Sequence, residues 1–112
     1  MNAYQVGFLY ELRAARFVRR RGARVLARRY RARGGEIDLI ARDGETIVFI
    51  EVKARPDAPL GSGVNAVTGD KRRRLRSAAG AYLQEKGWQD RPCRYDILEF
   101  TRAGIQYLEN AF

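Results

Sequence analysis

The sequence predicts an α/β domain: a mixed β-sheet with helices packed against it, in the order α-β-β-β-α-β-β. Three observations predict it. Two stretches with helical apolar spacing, near residues 5–21 and 68–86, each end at a glycine. Between them lie short segments rich in Val and Ile, punctuated by Gly34-Gly35 and Asp43-Gly44. Two further strand-like segments follow the second helix. At 112 residues the chain is the length of one domain, and residues 1–112 are read as one unit with no repeat or linker.

The first helix is expected over residues 5–21 and stopped by Gly22, with Phe8, Leu12, Ala15 and Val18 as its apolar stripe and Glu11 inside that stripe. Residues 23–32, ARVLARRYRA, read as a strand with imperfect alternation and Arg-rich outer positions. A hairpin follows, with strands at residues 36–42 and 46–54. Residues 56–63 carry Pro56, Pro59, Gly61 and Gly63 and read as loop. The second helix starts at Asn65 or Thr68 and presents Leu75, Ala78, Ala79, Tyr82 and Leu83. Strands at residues 94–100 and 105–109, joined by a turn at 101–104, complete the order.

Composition narrows the chemistry. The net charge is +9, which points to a polyanionic partner, nucleic acid before an anionic membrane surface. No apolar run approaches the roughly 20 residues of a membrane span, and charged residues Glu11, Arg13 and Arg16 interrupt the N-terminal segment, so no membrane association and a cytoplasmic location are expected. Cys93 is the lone cysteine, which suits a reducing compartment. Histidine is absent, which excludes Ser-His triads and the usual zinc sites. The basic residues are mostly arginine; the lysines are Lys53, Lys71 and Lys86. A lysine retained in so Arg-rich a chain hints at a position needing a compact charge whose pKa can move.

The segment GEIDLIARDGETIVFIEVKAR, residues 35–55, carries the candidate site. Asp38, Glu51 and Lys53 interrupt strands that are otherwise apolar, and charges in such places need a reason. If Asp43-Gly44 forms the two-residue turn, Ala41 faces Thr46, Ile40 faces Ile47 and Asp38 faces Phe49. Glu51 is then the diagonal neighbour of Asp38, roughly 7 Å away or less. Lys53 shares their face, and Glu36 lies opposite Glu51. A one-residue bulge at the turn would break this arrangement. Two carboxylates with the carbonyl of Val52 form an oxygen set suited to Mg²⁺ or Mn²⁺, and Lys53 stands where it can orient a water or steady a phosphate. The competing explanation is a surface hairpin with a Glu51–Lys53 or Asp38–Lys53 salt bridge, worth about 0–1 kcal/mol.

Asp38 followed by Glu51-x-Lys53 after a hairpin resembles the PD-(D/E)XK nuclease superfamily, and Glu11 in the preceding helix is similar to the fourth acid of its Holliday-junction resolvases. The string GEIDLI…VFIEVKAR with Val67 and Lys71 closely resembles the YraN-like family of small, uncharacterised bacterial proteins, over residues 7–100. Ile37 stands where the superfamily name has proline. The resemblance implies a restriction-endonuclease-like fold, with Asp38 and Glu51 as metal ligands, Lys53 as the catalytic lysine and Glu11 as an outer or additional ligand. Glu11 has a plainer alternative, pairing with Arg13 or Arg16; Glu36 is equally well explained as a solvated acid, and Lys71 as a long side chain passing Leu75 to reach water.

Lys71, Arg72, Arg73 and Arg74 form one basic cluster, Arg28, Arg29, Arg31 and Arg33 a second and Arg19 to Arg21 a third; one such run is usually a solvated face, but three in a short chain suggest a groove for a phosphate backbone. Tyr30 and Trp88 read as packing residues before base-stacking ones, and Asp96 as an edge or structural acid. The expectation is a metal-dependent endonuclease acting on structured or branched DNA, favoured over RNA, and the resemblance to resolvases invites a two-fold homodimer. Its rivals are a nucleic-acid-binding module on the same fold that does not cut, as an accessory in DNA repair or recombination, and an RNA- or ribosome-associated basic protein.

Overall fold

A computed structural model of the chain describes residues 2–54 and 68–112. The expected order is observed: α1 (Ala3–Arg20), β1 (Arg24–Ala32), β2 (Gly35–Asp43), β3 (Thr46–Ala54), α2 (Gly69–Lys86), β4 (Cys93–Thr101) and β5 (Gly104–Leu108). The five strands form one sheet in sequence order. Every neighbouring pair is antiparallel except β3–β4, which is parallel. The expected loop at 56–63, the alternative helix start at Asn65, and Val67 lie outside the described residues.

Both helices are defined by their caps. Asn2 and Gln5 form a capping box, each side chain bonding the other's backbone N–H, so α1 begins two residues earlier than its apolar spacing suggests. Thr68 caps α2 by accepting from the Lys71 N–H, and Gly87 ends it in the left-handed conformation.

The helices cover opposite faces of the sheet. Leu75, Ala78, Ala79 and Tyr82 of α2 pack on Ile37, Ile40, Ile47, Phe49 and Ile97. Ala14, Ala15 and Val18 of α1 pack on Leu39, Ala41, Val48, Ile50 and Leu98. With both faces of β3 buried, its continuous apolar run is explained. The buried stripe of α1 is rotated from the expected one. Ala14 replaces Phe8 and Leu12, which are left 40% and 38% exposed. Small residues let the helix lie close to the sheet, and the bulky ones are turned outward.

The hairpin register differs from expectation by two residues. Asp43 pairs with Thr46, so Gly44 and Glu45 are the turn residues, and Ile40 faces Phe49. Gly44 has φ +62°, which the first position of a tight hairpin turn needs. The grouping of Asp38 with Glu51 survives the two-residue slide, because the Asp38 carboxylate bonds the Val52 N–H and feels the Glu51 charge. Their relation changes from diagonal to direct: the β2–β3 ladder ends at Leu39–Ile50, and Asp38 and Glu51 are the next rung. Glu36 is not opposite Glu51. It pairs with Arg31 of β1 in register and by an exposed ion pair of 3.4 Å.

Alternation fails in β1 and β2 at one rung. β1 has an irregularity between Val25 and Ala27, and Arg29 has φ +52°. Arg28 and Arg29, although consecutive, both reach α1, lying over the rings of Phe8 and Tyr4. On β2, Ile37 and Ile40 both face α2 while Leu39 faces α1. The bracketing pairs Arg28–Leu39 and Tyr30–Ile37 place Arg29 across from Asp38.

Candidate metal and phosphate site

The site lies where the sheet forks. Past Leu39–Ile50, β2 stays with β1 as far as Ala32–Gly35, while β3 stays with β4 as far as Ala54–Phe100. Separation of β2 from β3 leaves the Val52 N–H without a strand partner on that side. The Asp38 carboxylate accepts it at 2.8 Å. Glu51 is on the α2 face and only 6% exposed. Its Oε1 receives the Lys71 ammonium at 2.7 Å and the Lys53 ammonium at 3.2 Å. The Glu51–Lys53 salt bridge of the surface-hairpin explanation is present, but Glu51 is buried, where a surface pair would leave it in water. Lys71 also turns inward from the first turn of α2 instead of passing Leu75 to reach solvent.

The electrostatics follow from this crowding. Burial, then the Glu51 charge, pushes the Asp38 carboxyl up to about 7, against the favourable Val52 N–H. Burial and the neighbouring Lys71 hold the Lys53 ammonium below its ordinary value. Burial also weighs on Lys71, but its bonds to Glu51 and Lys53 and the charges of Glu51 and Asp38 outweigh it, so its pKa is raised. The two lysines are thereby differentiated: Lys53 gives up its proton more readily than Lys71.

Glu11 reaches the site from α1, on the line it shares with Ala14, Ala15 and Val18. Its partner is neither Arg13 nor Arg16 but Arg29, whose Nε meets Glu11 Oε2 at 2.5 Å. The Glu11 charge still acts on Asp38. Among the described residues, however, no three such side chains gather closely enough to hold a metal by themselves. The oxygen set in place is Asp38, Glu51 and the strand backbone at Val52.

The basic clusters assume definite positions. A Cβ on Gly35 would come within 2.4 Å of the Arg74 carbonyl oxygen, and one on Gly34 within 3.1 Å of Ser77 Oγ. The β1–β2 turn, which carries Arg33, is therefore pressed against α2 at Arg74 and Ser77, while Arg31, between the α2-facing Tyr30 and Ala32, pairs with Glu36 on the other face. Arg73 is paired with Asp70. Arg28 and Arg29 belong to the α1 side instead. Tyr30 and Trp88 pack edge-on against Tyr82, and the Tyr30 hydroxyl donates to Glu85, so both are packing residues.

The chain's match to known sequences is family-wide. The model of an uncharacterised protein family, UPF0102, matches residues 10–100. The chain belongs to the UPF0102 family. A UPF0102 protein of Hahella chejuensis is 39% identical over 100% of this chain and 93% of its own length. One from Klebsiella pneumoniae is 44% identical, covering 96% of this chain and 86% of the relative. One from Symbiobacterium thermophilum is 42% identical over 96% of both. UPF0102 membership spans Glu11, Asp38, Glu51, Lys53 and Lys71 alike.

Two acids of this UPF0102 chain were not singled out as site residues by sequence reasoning. Asp96 is fully buried on β4, a strand inside the sheet and not its edge. It accepts from Arg94 Nε at 3.0 Å, the Tyr107 hydroxyl at 2.5 Å and the Asn110 N–H at 2.9 Å, tying β5 and the residues after it to the sheet. Glu99 is also fully buried and pairs in register with Lys53. The signal for both was present: an acid flanked by apolar residues in DILEF, the same signal that marked Asp38. A groove of about 380 Å³ on the outside of α1, lined by Val6, Leu9, Tyr10, Leu12, Arg13 and Arg16, includes none of these acids or lysines. No helix among the described residues is long and apolar enough to cross a membrane.

Proposed function

We propose that this protein is a divalent-metal-dependent endonuclease that hydrolyses phosphodiester bonds in structured or branched DNA. The observation that carries the reading is the strand fork, where the buried Glu51 carboxylate, the half-buried Asp38 carboxylate and two lysine ammonium groups meet. The donor set fits Mg²⁺ or Mn²⁺. Asp38 and Glu51 are hard oxygen donors, and a divalent ion would favour the charged form of the Asp38 carboxyl, which burial and then the Glu51 charge push up to about 7. With the Val52 carbonyl they make a partial shell of the kind Mg²⁺ completes with water. Such an ion, when bound, withdraws charge from a phosphodiester oxygen and from its own water.

The chain's own groups divide the remaining work. Lys53, whose ammonium pairs with Glu51 at the fork, is placed to orient the attacking water or to steady the phosphate. Lys71, whose pKa is raised, remains cationic and faces the phosphate as negative charge develops. The Val52 N–H keeps the Asp38 carboxylate aimed into the fork. Arg33 and the Arg72–Arg74 run that follows Lys71 track the phosphate backbone, and the +9 charge draws the polyanion in.

A second reading has its own support. Both lysines bond the same oxygen, Glu51 Oε1, so the acid is already neutralised from within. A binding module that kept the fold and lost the chemistry would look like this. Cleavage decides. A labelled four-way junction, flap, duplex, single-stranded DNA and structured RNA are each incubated with Mg²⁺ or Mn²⁺ and with wild type, Glu51→Gln or Lys53→Ala. The endonuclease reading expects one DNA class to be cut, with cutting abolished by either substitution and by chelation. Binding without cutting, unchanged by both substitutions, would leave the binding module.

A further inference from the structure

Arg29 is the most unusual cation in the fold. A non-glycine residue with φ +52° inside a strand carries a backbone cost of order 1 kcal/mol. This conformation sends Arg28 and Arg29 to the same side, and Arg29 lands in a cradle built by successive turns of α1. Its guanidinium lies 4.7 Å from the centre of the Tyr4 ring. A Cβ on Gly7 would be 3.9 Å from Nη2, and Glu11 closes the cradle through Nε. The Glu11 side chain is 12% exposed and that of Arg29 25%, so a ligand can reach the guanidinium more easily than the acid. Across the sheet from Arg29 is Asp38, a site acid on which the Glu11 charge acts.

We propose that Arg29 is a latch: it holds Glu11 out of the metal shell in the free protein and releases it when a phosphodiester takes over the guanidinium. The proposal rests on the metal-dependent reading above and deepens it. Guanidinium binds carboxylate and phosphate through the same planar fork of donors, so a phosphate and Glu11 compete for it. Freed of its counter-ion, Glu11 becomes a third carboxylate beside Asp38 and Glu51, where the described residues otherwise offer two. The full ligand set is then assembled only with nucleic acid in place, and metal and substrate strengthen each other's binding by linkage. Arg29 is a positioning residue here, acting through Glu11.

The test is a double-mutant cycle on the full chain, read by binding. Mn²⁺ affinity is measured by calorimetry without nucleic acid for wild type, Arg29→Gln, Glu11→Gln and the double variant, with Asp38→Asn marking the site. Arg29→Gln is expected to tighten Mn²⁺ about fivefold or more, and the double variant to lose that gain. Arg29→Lys, which keeps the charge, is expected to stay near wild type. In the second arm, binding of a fluorescent four-way junction is measured in chelator over a salt series. Glu11→Gln is expected to tighten binding and steepen the logarithmic salt slope by about 1, one more phosphate contact. That gain is expected to vanish when Arg29 is Gln. Equal Mn²⁺ affinity in wild type and Arg29→Gln overturns the latch, as does a gain that survives loss of Glu11. If Mn²⁺ binds none of the variants, the metal-dependent reading falls and the latch with it. If Mn²⁺ binds and only Asp38→Asn abolishes it, that reading stands and the latch alone is overturned.

Discussion

Burial and the Glu51 charge both favour the neutral acid at Asp38, and this sets a sign that can be measured. A carboxyl whose folded pKa lies above its unfolded value of 3.8 binds its proton more tightly when folded. Its stabilising effect is present at low pH and is lost as pH rises from about 4 to about 7. Metal-free protein is therefore expected to become less stable over that window, by on the order of 1–3 kcal/mol. Asp38→Asn keeps the acceptor for the Val52 N–H and removes the titration. In urea denaturation with chelator at pH 8 it is expected to be the more stable protein, and to lack the loss between pH 4 and pH 7. A variant no more stable than wild type would mean that Lys71 and Lys53 already neutralise the pair. Asp38, Glu51 and Lys53 were legible as residues because charges in apolar strands stand out. The pairing of Glu11 with Arg29 was not, because it depends on one backbone angle.

Between elements, the position of α2 decides whether Lys71 reaches Glu51, and glycine in the β1–β2 turn decides the position of α2. Gly35→Ala would drive a Cβ into the Arg74 carbonyl, a backbone atom that moves only with the helix. The expected cost is about 1–3 kcal/mol in urea denaturation. Gly80, in the exposed middle of the same helix, has nothing within 4 Å of an added Cβ. Gly80→Ala is expected to stabilise by about 0.5–1 kcal/mol. Opposite signs for one chemical change would show that close approach, not composition, holds α2 in place; equal signs would refute it. Spacing and punctuation located these elements well. The order of all seven was legible, and β3 was read to the residue. The start of α1 was missed because the Asn2–Gln5 capping box lies ahead of the apolar pattern. The turn was misplaced by one residue at each of its positions, because Asp43-Gly44 and Gly44-Glu45 are both consistent with a glycine at φ +62°.

Across the whole molecule, charge and topology together shape a basic surface. Arg33 on the β1–β2 turn and Arg74 on α2 are far apart in sequence, yet Gly34 and Gly35 bring their segments into contact. Both side chains are exposed. Replacing both with Gln is expected to weaken binding of any duplex and to lower the logarithmic salt slope by about 1–2. Fluorescence anisotropy over a salt series measures it. A slope unchanged from wild type would move the phosphate track elsewhere, for example to Arg19–Arg21 at the other end of α1.

The sequence by itself determined the α/β class, the order of elements, the net charge of +9, and the acids and lysines that do not belong in apolar strands. These are local or additive properties: periodicity, glycine and cap positions, summed charge. Only the tertiary structure decided that β2 parts from β3 at Asp38, that Lys71 bonds Glu51 instead of water, that Glu36 lies away from the site, and that Arg29 holds Glu11. Each depends on how two segments distant in sequence are packed together, and a shift of a few ångströms there turns a contact into an empty space.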